Sequence, residues 1–268
     1  MSSPVRRRVS GVFVATALAV ALGGCSAPTE RATTGTGAAA DELSGTLTVY
    51  AAASLVSVFD ELAGIFEERH PAVDVLPISY DGSSILATQI VEGASVDLFA
   101  SADERSMAIV ADAGLLAGGT ELFASNTLRI AVPTGNPAGV TGLADLARPD
   151  VSTVVCVPAV PCGAASAKLL DRAGVSVTPV SEEQNVAAVL GKVRSGEADA
   201  GLVYATDVAI AARDVEGIVP VGASDVVNHY PLAVLANARN PAAARAFARL
   251  VLGDAGQKTL TSFGFGAP

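Results

Sequence analysis

Leu47-Thr48-Val49-Tyr50-Ala51-Ala52-Ala53-Ser54-Leu55-Val56-Ser57 joins a strand pattern to a helix pattern through side chains too small to fill space. Leu47 and Val49 alternate with Thr48 and Tyr50 as in a half-buried strand. Three alanines follow, and Leu55, Val58, Phe59, Leu62 and Phe66 then recur at helical spacing. Ser54 stands where an N-cap belongs. Small residues at such a junction leave the first-turn N–H groups of the helix uncovered, and uncovered N–H groups at the positive end of a helix bind anions. The same arrangement recurs at Ser83, at Pro161 to Gly163 and at Val186. Any one of these serines is most simply a cap for its own helix; four such junctions in one chain weigh against that simple account.

Outward from this stretch, strand-like and helix-like segments alternate. Leu47 to Tyr50 precedes a helix from Leu55, Val73 to Ile78 a helix from Ser84, and Val96 to Ala100 a helix near Arg105. Strands then follow at Leu128 to Val132 and Thr153 to Val157, helices from Ala164 and Val186, and a strand at Ala200 to Tyr204. The alternation predicts an α/β protein with mixed, mostly parallel sheets and with ligand sites at the carboxyl ends of strands. Asn126 to Val132 and His229 to Leu235, the latter holding Pro231, are expected to be two crossing strands. They divide the folded part into one lobe of residues 46–125 plus 227–268 and another of residues 126–226.

The N-terminus reads as an address. Arg6, Arg7 and Arg8 precede an apolar run, Gly11 to Leu22, too short to span a bilayer as a helix. Leu22-Gly23-Gly24-Cys25 resembles a bacterial lipobox, so residues 1–24 are expected to be a lipoprotein signal peptide and Cys25 the acylated first residue of the exported chain. Residues 25–45 are mostly Ala, Thr, Gly, Ser and Glu without apolar period, as a flexible tether requires. Without residues 1–24 the chain has 14 basic against 27 acidic residues, a net charge of −13. Such a balance argues against nucleic acid as a partner. Cys156 and Cys162 remain as a pair in an oxidising compartment, and a bridge or two free thiols are equally open.

Candidate catalytic groups are few. His70 precedes Pro71 at an expected helix end and His229 begins a strand, and neither joins a ligand cluster. No nucleophile elbow, SxxK pair, HExxH or phosphate-binding loop occurs. Asp103, Asp199 and Asp207 read as cap or turn residues, so a binding role outweighs an enzymatic one.

Ala51-Ala52-Ala53-Ser54-Leu55, Gly82-Ser83-Ser84 with Gln89-Ile90, and Asp97-Leu98-Phe99 with Ser101-Ala102-Asp103 together resemble the periplasmic-type molybdate-binding proteins of ABC importers. The similarity continues through Val160-Pro161-Cys162-Gly163, Asn185-Val186 and Gly201-Leu202-Val203-Tyr204, and closes on Tyr230-Pro231-Leu232 and Phe263-Gly264-Phe265. It covers essentially all of Thr46 to Pro268. The resemblance implies a type II periplasmic-binding-protein fold whose lobes close over a tetrahedral oxyanion. It places hydroxyl and N–H donors at Ser54 and Ser83, main-chain N–H donors at Cys162 and Val186, and a phenol donor at Tyr204. It implies no cofactor, molybdenum arriving only as molybdate or tungstate without direct protein ligands. The partners it implies are an ABC permease with its ATPase, for a monomer held by Cys25 on the outer face of the cytoplasmic membrane. Cys162 stands where the family usually has Ala. Asp81, close to Ser83, is expected to point outward or to cap the helix near Ser84.

A shell made only of donors suits dianions that are fully deprotonated at neutral pH. Phosphate keeps a proton that such a shell leaves unpaired, at a cost on the order of 1–3 kcal/mol. Molybdate and sulfate differ in size rather than charge, so the choice between them falls to cavity dimensions. The alternatives are a binder of sulfate or another oxyanion and, from another class, a lipid-anchored serine hydrolase using Ser54 or Ser83 with His70 or His229 as base.

Overall fold

The computed structural model describes residues 43–268. The expected signal peptide and the lipidation site at Cys25 lie outside the described residues. Of the expected tether only Leu43 to Gly45 are described, and they depart from expectation. Gly45 N donates to Ala72 O at 2.9 Å, and Asn240 Nδ2 donates to Ser44 O at 2.9 Å. A strand edge and an Asn side chain within reach satisfy backbone that composition alone leaves free.

Strand β1 (Gly45–Leu47) pairs in parallel only with β3 (Val73–Val75). β2 (Val49–Ala52) continues the chain in a different sheet. The single strand expected at Leu47 to Tyr50 is therefore two, broken at Thr48, whose N–H donates to Asp97 Oδ2 at 2.8 Å. A short 3₁₀ turn, Ala53–Leu55, leads into α1 (Val56–Arg69). The strand expected over Val73 to Ile78 is shortened to β3, ending before Pro77, which has no N–H to give a ladder, and a separate β4 (Ser79–Asp81) follows. α2 (Ser83–Val91), β5 (Leu98–Ala100) and α3 (Glu104–Asp112) follow.

β6 (Glu121–Pro133) is the longest strand described. Beyond it come β7 (Thr153–Cys156), α4 (Pro161–Ala173), β8 (Ser181–Glu183), α5 (Val186–Ser195), β9 (Ala200–Tyr204), α6 (Ala205–Ile210), β10 (Val215–Ile218) and β11 (Val227–Val234). The chain closes with α7 (Pro241–Leu252) and α8 (Asp254–Ser262). Strands run in the order β4-β2-β5-β11-β6-β9-β7-β8, with β10 also on β6.

The outer pairs β2–β4, β2–β5, β7–β8 and β7–β9 are parallel. The pairs at the centre, β11–β5, β11–β6 and β6–β9, are antiparallel. β6 and β11 are the two crossing strands. β6 pairs with β11 through Glu121 to Thr127 and with β9 through Leu128 to Ala131. The β6–β11 ladder skips Phe123 between Tyr230 and Pro231, so the proline sits at a bulge, where its missing N–H is tolerated.

These strands serve two lobes with separate cores. In the first, α1 sends Phe59 and Phe66 against Phe247 of α7, with ring centroids 5.9 and 5.3 Å apart, beneath β2 and β5. The opposite face of β5 presents Phe99 to Leu86, Met107 and Val110 of α2 and α3. With both faces covered, Leu98, Phe99 and Ala100 are all buried, as a strand between helical layers requires. In the second lobe Val154, Leu202, Val189 and Val193 pack around β7, β9 and α5. Among the described residues no helix is long and apolar enough to cross a membrane.

Candidate functional site

Five chain segments from the two lobes end at one place. The β2–α1 junction brings Ser54, the β4–α2 junction Ser83, the start of α4 Cys162, the start of α5 Val186, and the end of β9 Tyr204. All five line a single cavity of about 10 Å³, room on the order of one small group. Asp81, Gly82, Ala102, Pro161 and Asn185 line it as well. No Lys, Arg or His is among the lining residues. Every residue singled out from the sequence as a ligand donor is thus at the cavity.

Ser54 is buried but does not cap α1. It lies inside the 3₁₀ turn, the position before the helix is taken by Leu55, and the Ser54 hydroxyl is 3.0 Å from Tyr230 Oη. The tighter turn displaces the serine from capping geometry and leaves its oxygen facing the cleft floor. Ser83 Oγ accepts from Ala102 N at 2.9 Å, so its own proton remains available to donate. α2 and α4 have no side-chain cap, and their first-turn N–H groups keep the positive end of each helix unsatisfied by side chains. α4 begins at Pro161 rather than at Ala164, with proline in the first turn, where its missing N–H costs nothing. Asn185 does cap α5, its Oδ1 accepting from Ala188 N at 3.0 Å.

Asp81 corrects the sequence reading. It neither points outward nor caps α2. Its Oδ1 accepts from Gly82 N at 2.7 Å and from Asn185 Nδ2 at 2.9 Å, reaching across to the other lobe. An amide donor facing it from 104 residues away, invisible to local pattern, holds the carboxylate in the cleft. The Cys156 and Cys162 sulfurs are bonded, with Cα atoms 5.8 Å apart, closing the loop that leads into α4.

Behind the cavity lies a hydroxyl and amide layer that sequence reasoning missed. Asn228 Nδ2 donates to Ala102 O at 3.0 Å and to Tyr204 Oη at 3.1 Å, and Asn126 Nδ2 donates to Thr206 Oγ1 at 2.8 Å. Tyr204 and Tyr230 meet edge-on, with ring centroids 6.2 Å apart. Asn126 and Asn228 are buried polar residues in the crossing strands, and with Ser125 and Thr127 beside the first and His229 beside the second, local pattern gives no signal that marks them. Burial pushes the Tyr204 phenol well above its ordinary range, with Tyr230, Asp103 and Asp207 adding to the effect. Tyr204 therefore stays protonated, a donor at every physiological pH.

Asp207 titrates unusually. Its Oδ2 accepts from Tyr204 N at 2.8 Å, but burial outweighs that bond and raises the carboxyl from 3.8 to about 7. The folded chain then holds a proton here that the unfolded chain has already released. This contribution to stability is full below about pH 4 and is lost as pH rises through 7. Asp207→Asn removes the dependence. The melting temperature of the parent minus that of the variant is expected to fall by several degrees from about pH 5 to about pH 8, each tenfold in proton affinity being about 1.4 kcal/mol. Thermal melts across that range check it, and a flat difference would mean an ordinary carboxyl.

A hydrolase would need a base beside Ser54 or Ser83. His70 instead ends α1 with its ring centroid 4.7 Å from that of Phe66, and His229 lies in β11; neither lines the cavity.

The model of the bacterial extracellular solute-binding protein family matches residues 47–266. The molybdate-binding protein ModA of Mycobacterium tuberculosis is 46% identical over 222 residues, covering 83% of this chain and 85% of the relative. Among solved structures, the periplasmic molybdate-binding protein of Azotobacter vinelandii superposes with a TM-score of 0.70 at 22% identity, over 83% of this chain and 99% of that one. The sulfate-binding protein SubI of Mycobacterium tuberculosis superposes with a TM-score of 0.71 at 20% identity, over 82% and 86%. These two likenesses show the periplasmic-binding-protein fold.

Proposed function

The chain belongs to the bacterial extracellular solute-binding protein family, and from that premise we propose that it captures molybdate, and tungstate equally, and delivers it to an ABC permease. The observation that carries this reading is the convergence of Ser54, Ser83, Cys162, Val186 and Tyr204 on one cavity without a cationic side chain. In this proposal Ser54 and Ser83 donate hydroxyl and N–H groups, Cys162 and Val186 main-chain N–H groups, and Tyr204 its phenol. Helix ends and aligned N–H groups then offset the desolvation of a dianion. Asp81 Oδ1, an acceptor at the rim, is held by Gly82 N and Asn185 Nδ2. The 46% identity to a protein named for molybdate binding supports molybdate over other oxyanions.

The remaining parts of the proposal follow from the sequence. Cys25 carries the lipid anchor after removal of residues 1–24, residues 25–42 form the tether, and the monomer works at the outer face of the cytoplasmic membrane. Residues 46–125 plus 227–268 move as one lobe and 126–226 as the other, hinged at β6 and β11.

A thermal-shift series with molybdate, tungstate, sulfate and phosphate tests the ligand. Molybdate and tungstate at about a hundred times their dissociation constants are expected to add roughly 2.7 kcal/mol, a rise on the order of 5–10 °C. A larger rise with sulfate would reassign the ligand.

A further inference from the structure

Gly82 and Asp81 sit where the two sides of the cleft touch. Gly82 has φ −58, open to any residue, so its use is not conformational freedom. A Cβ there would fall inside contact distance of the Gln184 carbonyl oxygen and lie 2.9 Å from Val160 Cγ1. The first of these is backbone of the facing lobe and cannot swing aside. One residue earlier, Asp81 Oδ1 is bound by Asn185 Nδ2 at 2.9 Å, while Asn185 Oδ1 holds Ala188 N at 3.0 Å. One amide side chain therefore ties Asp81 to the first turn of α5, where Val186 lies. Arg105 adds a second tie across the cleft, its Nη2 donating to Pro158 O at 3.2 Å and Ala159 O at 2.9 Å on the loop before α4.

We propose that the bare backbone of Gly82 and the Asp81–Asn185 hydrogen bond set how far the lobes close over the oxyanion, making these positioning residues for affinity although neither Gly82 nor Asp81 serves as a ligand donor. The inference rests on the oxyanion-binding reading above. Ser54 and Ser83 come from one lobe and Cys162, Val186 and Tyr204 from the other, so one anion meets all five only when the faces meet. A methyl group at position 82 penalises the closed state and leaves each lobe and the open state untouched. Apparent affinity then falls with the fraction of molecules able to close. The bond from Asn185 also anchors a carboxylate that would repel a dianion if free to turn into the cavity.

The test compares the full-length parent with Gly82→Ala, Asp81→Ala and Asp81→Asn by calorimetry, thermal melts and small-angle X-ray scattering, with sodium molybdate and sodium sulfate as probes. Unliganded Gly82→Ala is expected to melt within a degree or two of the parent, yet bind molybdate about tenfold or more weakly and fail to compact as the parent does. Asp81→Ala is expected to weaken binding also, without adding bulk, while Asp81→Asn, which keeps an acceptor for Asn185, binds at least as well as the parent. Parental affinity and compaction in both Gly82→Ala and Asp81→Ala would overturn the inference. A parent that answers to sulfate instead of molybdate overturns the ligand assignment, and the same comparison made with sulfate still decides closure. A parent that answers to neither overturns both.

Discussion

Gly163→Ala is expected to lose oxyanion binding and to melt well below the parent. Gly163 is the third residue of α4, buried against the loop that precedes it. A Cβ there would fall on the Val157 carbonyl group and within 2.7 Å of Cys156 O. All these atoms are main chain, and the loop holding them is closed on itself by the Cys156–Cys162 bridge. The loop therefore has little room to retreat, and relief requires α4 to move. Overpacking of this kind costs about 1–3 kcal/mol or more, and a backbone clash belongs at the upper end. A fall of roughly 6–12 °C follows for a domain of this size. Moving α4 also carries away the Cys162 N–H and its helix end, so affinity for molybdate should fall about a hundredfold or more. Thermal melts and calorimetry measure the two effects, and parental values for both would mean that the first turn of α4 can shift without consequence.

Tyr204→Phe should separate binding from folding. The ring is buried at the cleft floor against Tyr230 and remains in the variant, so packing is kept. Asn228 Nδ2 keeps Ala102 O for one of its two hydrogens and loses Tyr204 Oη as the acceptor for the other, at a cost to the fold on the order of 1 kcal/mol. The hydroxyl itself is the loss. A hydrogen bond to a charged group is worth about 1.5–3 kcal/mol, so molybdate should bind roughly 10- to 100-fold more weakly while the unliganded melting temperature moves by only a few degrees. Unchanged affinity by calorimetry would remove Tyr204 from the donor set.

The order of elements was legible because both faces of the sheets are covered. Continuous apolar strands such as Leu98 to Ala100, alternating with helices of 3.6-residue period, have one economical arrangement. The helix starts expected at Ser84 and Val186 were legible too, the first to within one residue, from small residues or an Asn just ahead of an apolar run. Local pattern misled where a distant group intervened. Asp97 takes Thr48 N and breaks one expected strand into two, and Tyr230 draws Ser54 away from the capping position. Proline was the overlooked signal at α4, where Pro161 begins the helix three residues before the expected Ala164.

By itself the sequence determined which helices begin with small or uncapped residues, that few cationic side chains stand near those starts, and that two strands cross between the lobes. These properties depend on neighbours within a few positions, the range over which periodicity, capping and turn chemistry act. Only the tertiary structure decided that four such starts and the end of β9 converge on one cavity, that Asn228 and Tyr230 back it, and that Asp81 turns across the cleft to Asn185. Those contacts join residues many tens of positions apart, and their partners are chosen by how two packed cores bring their faces together.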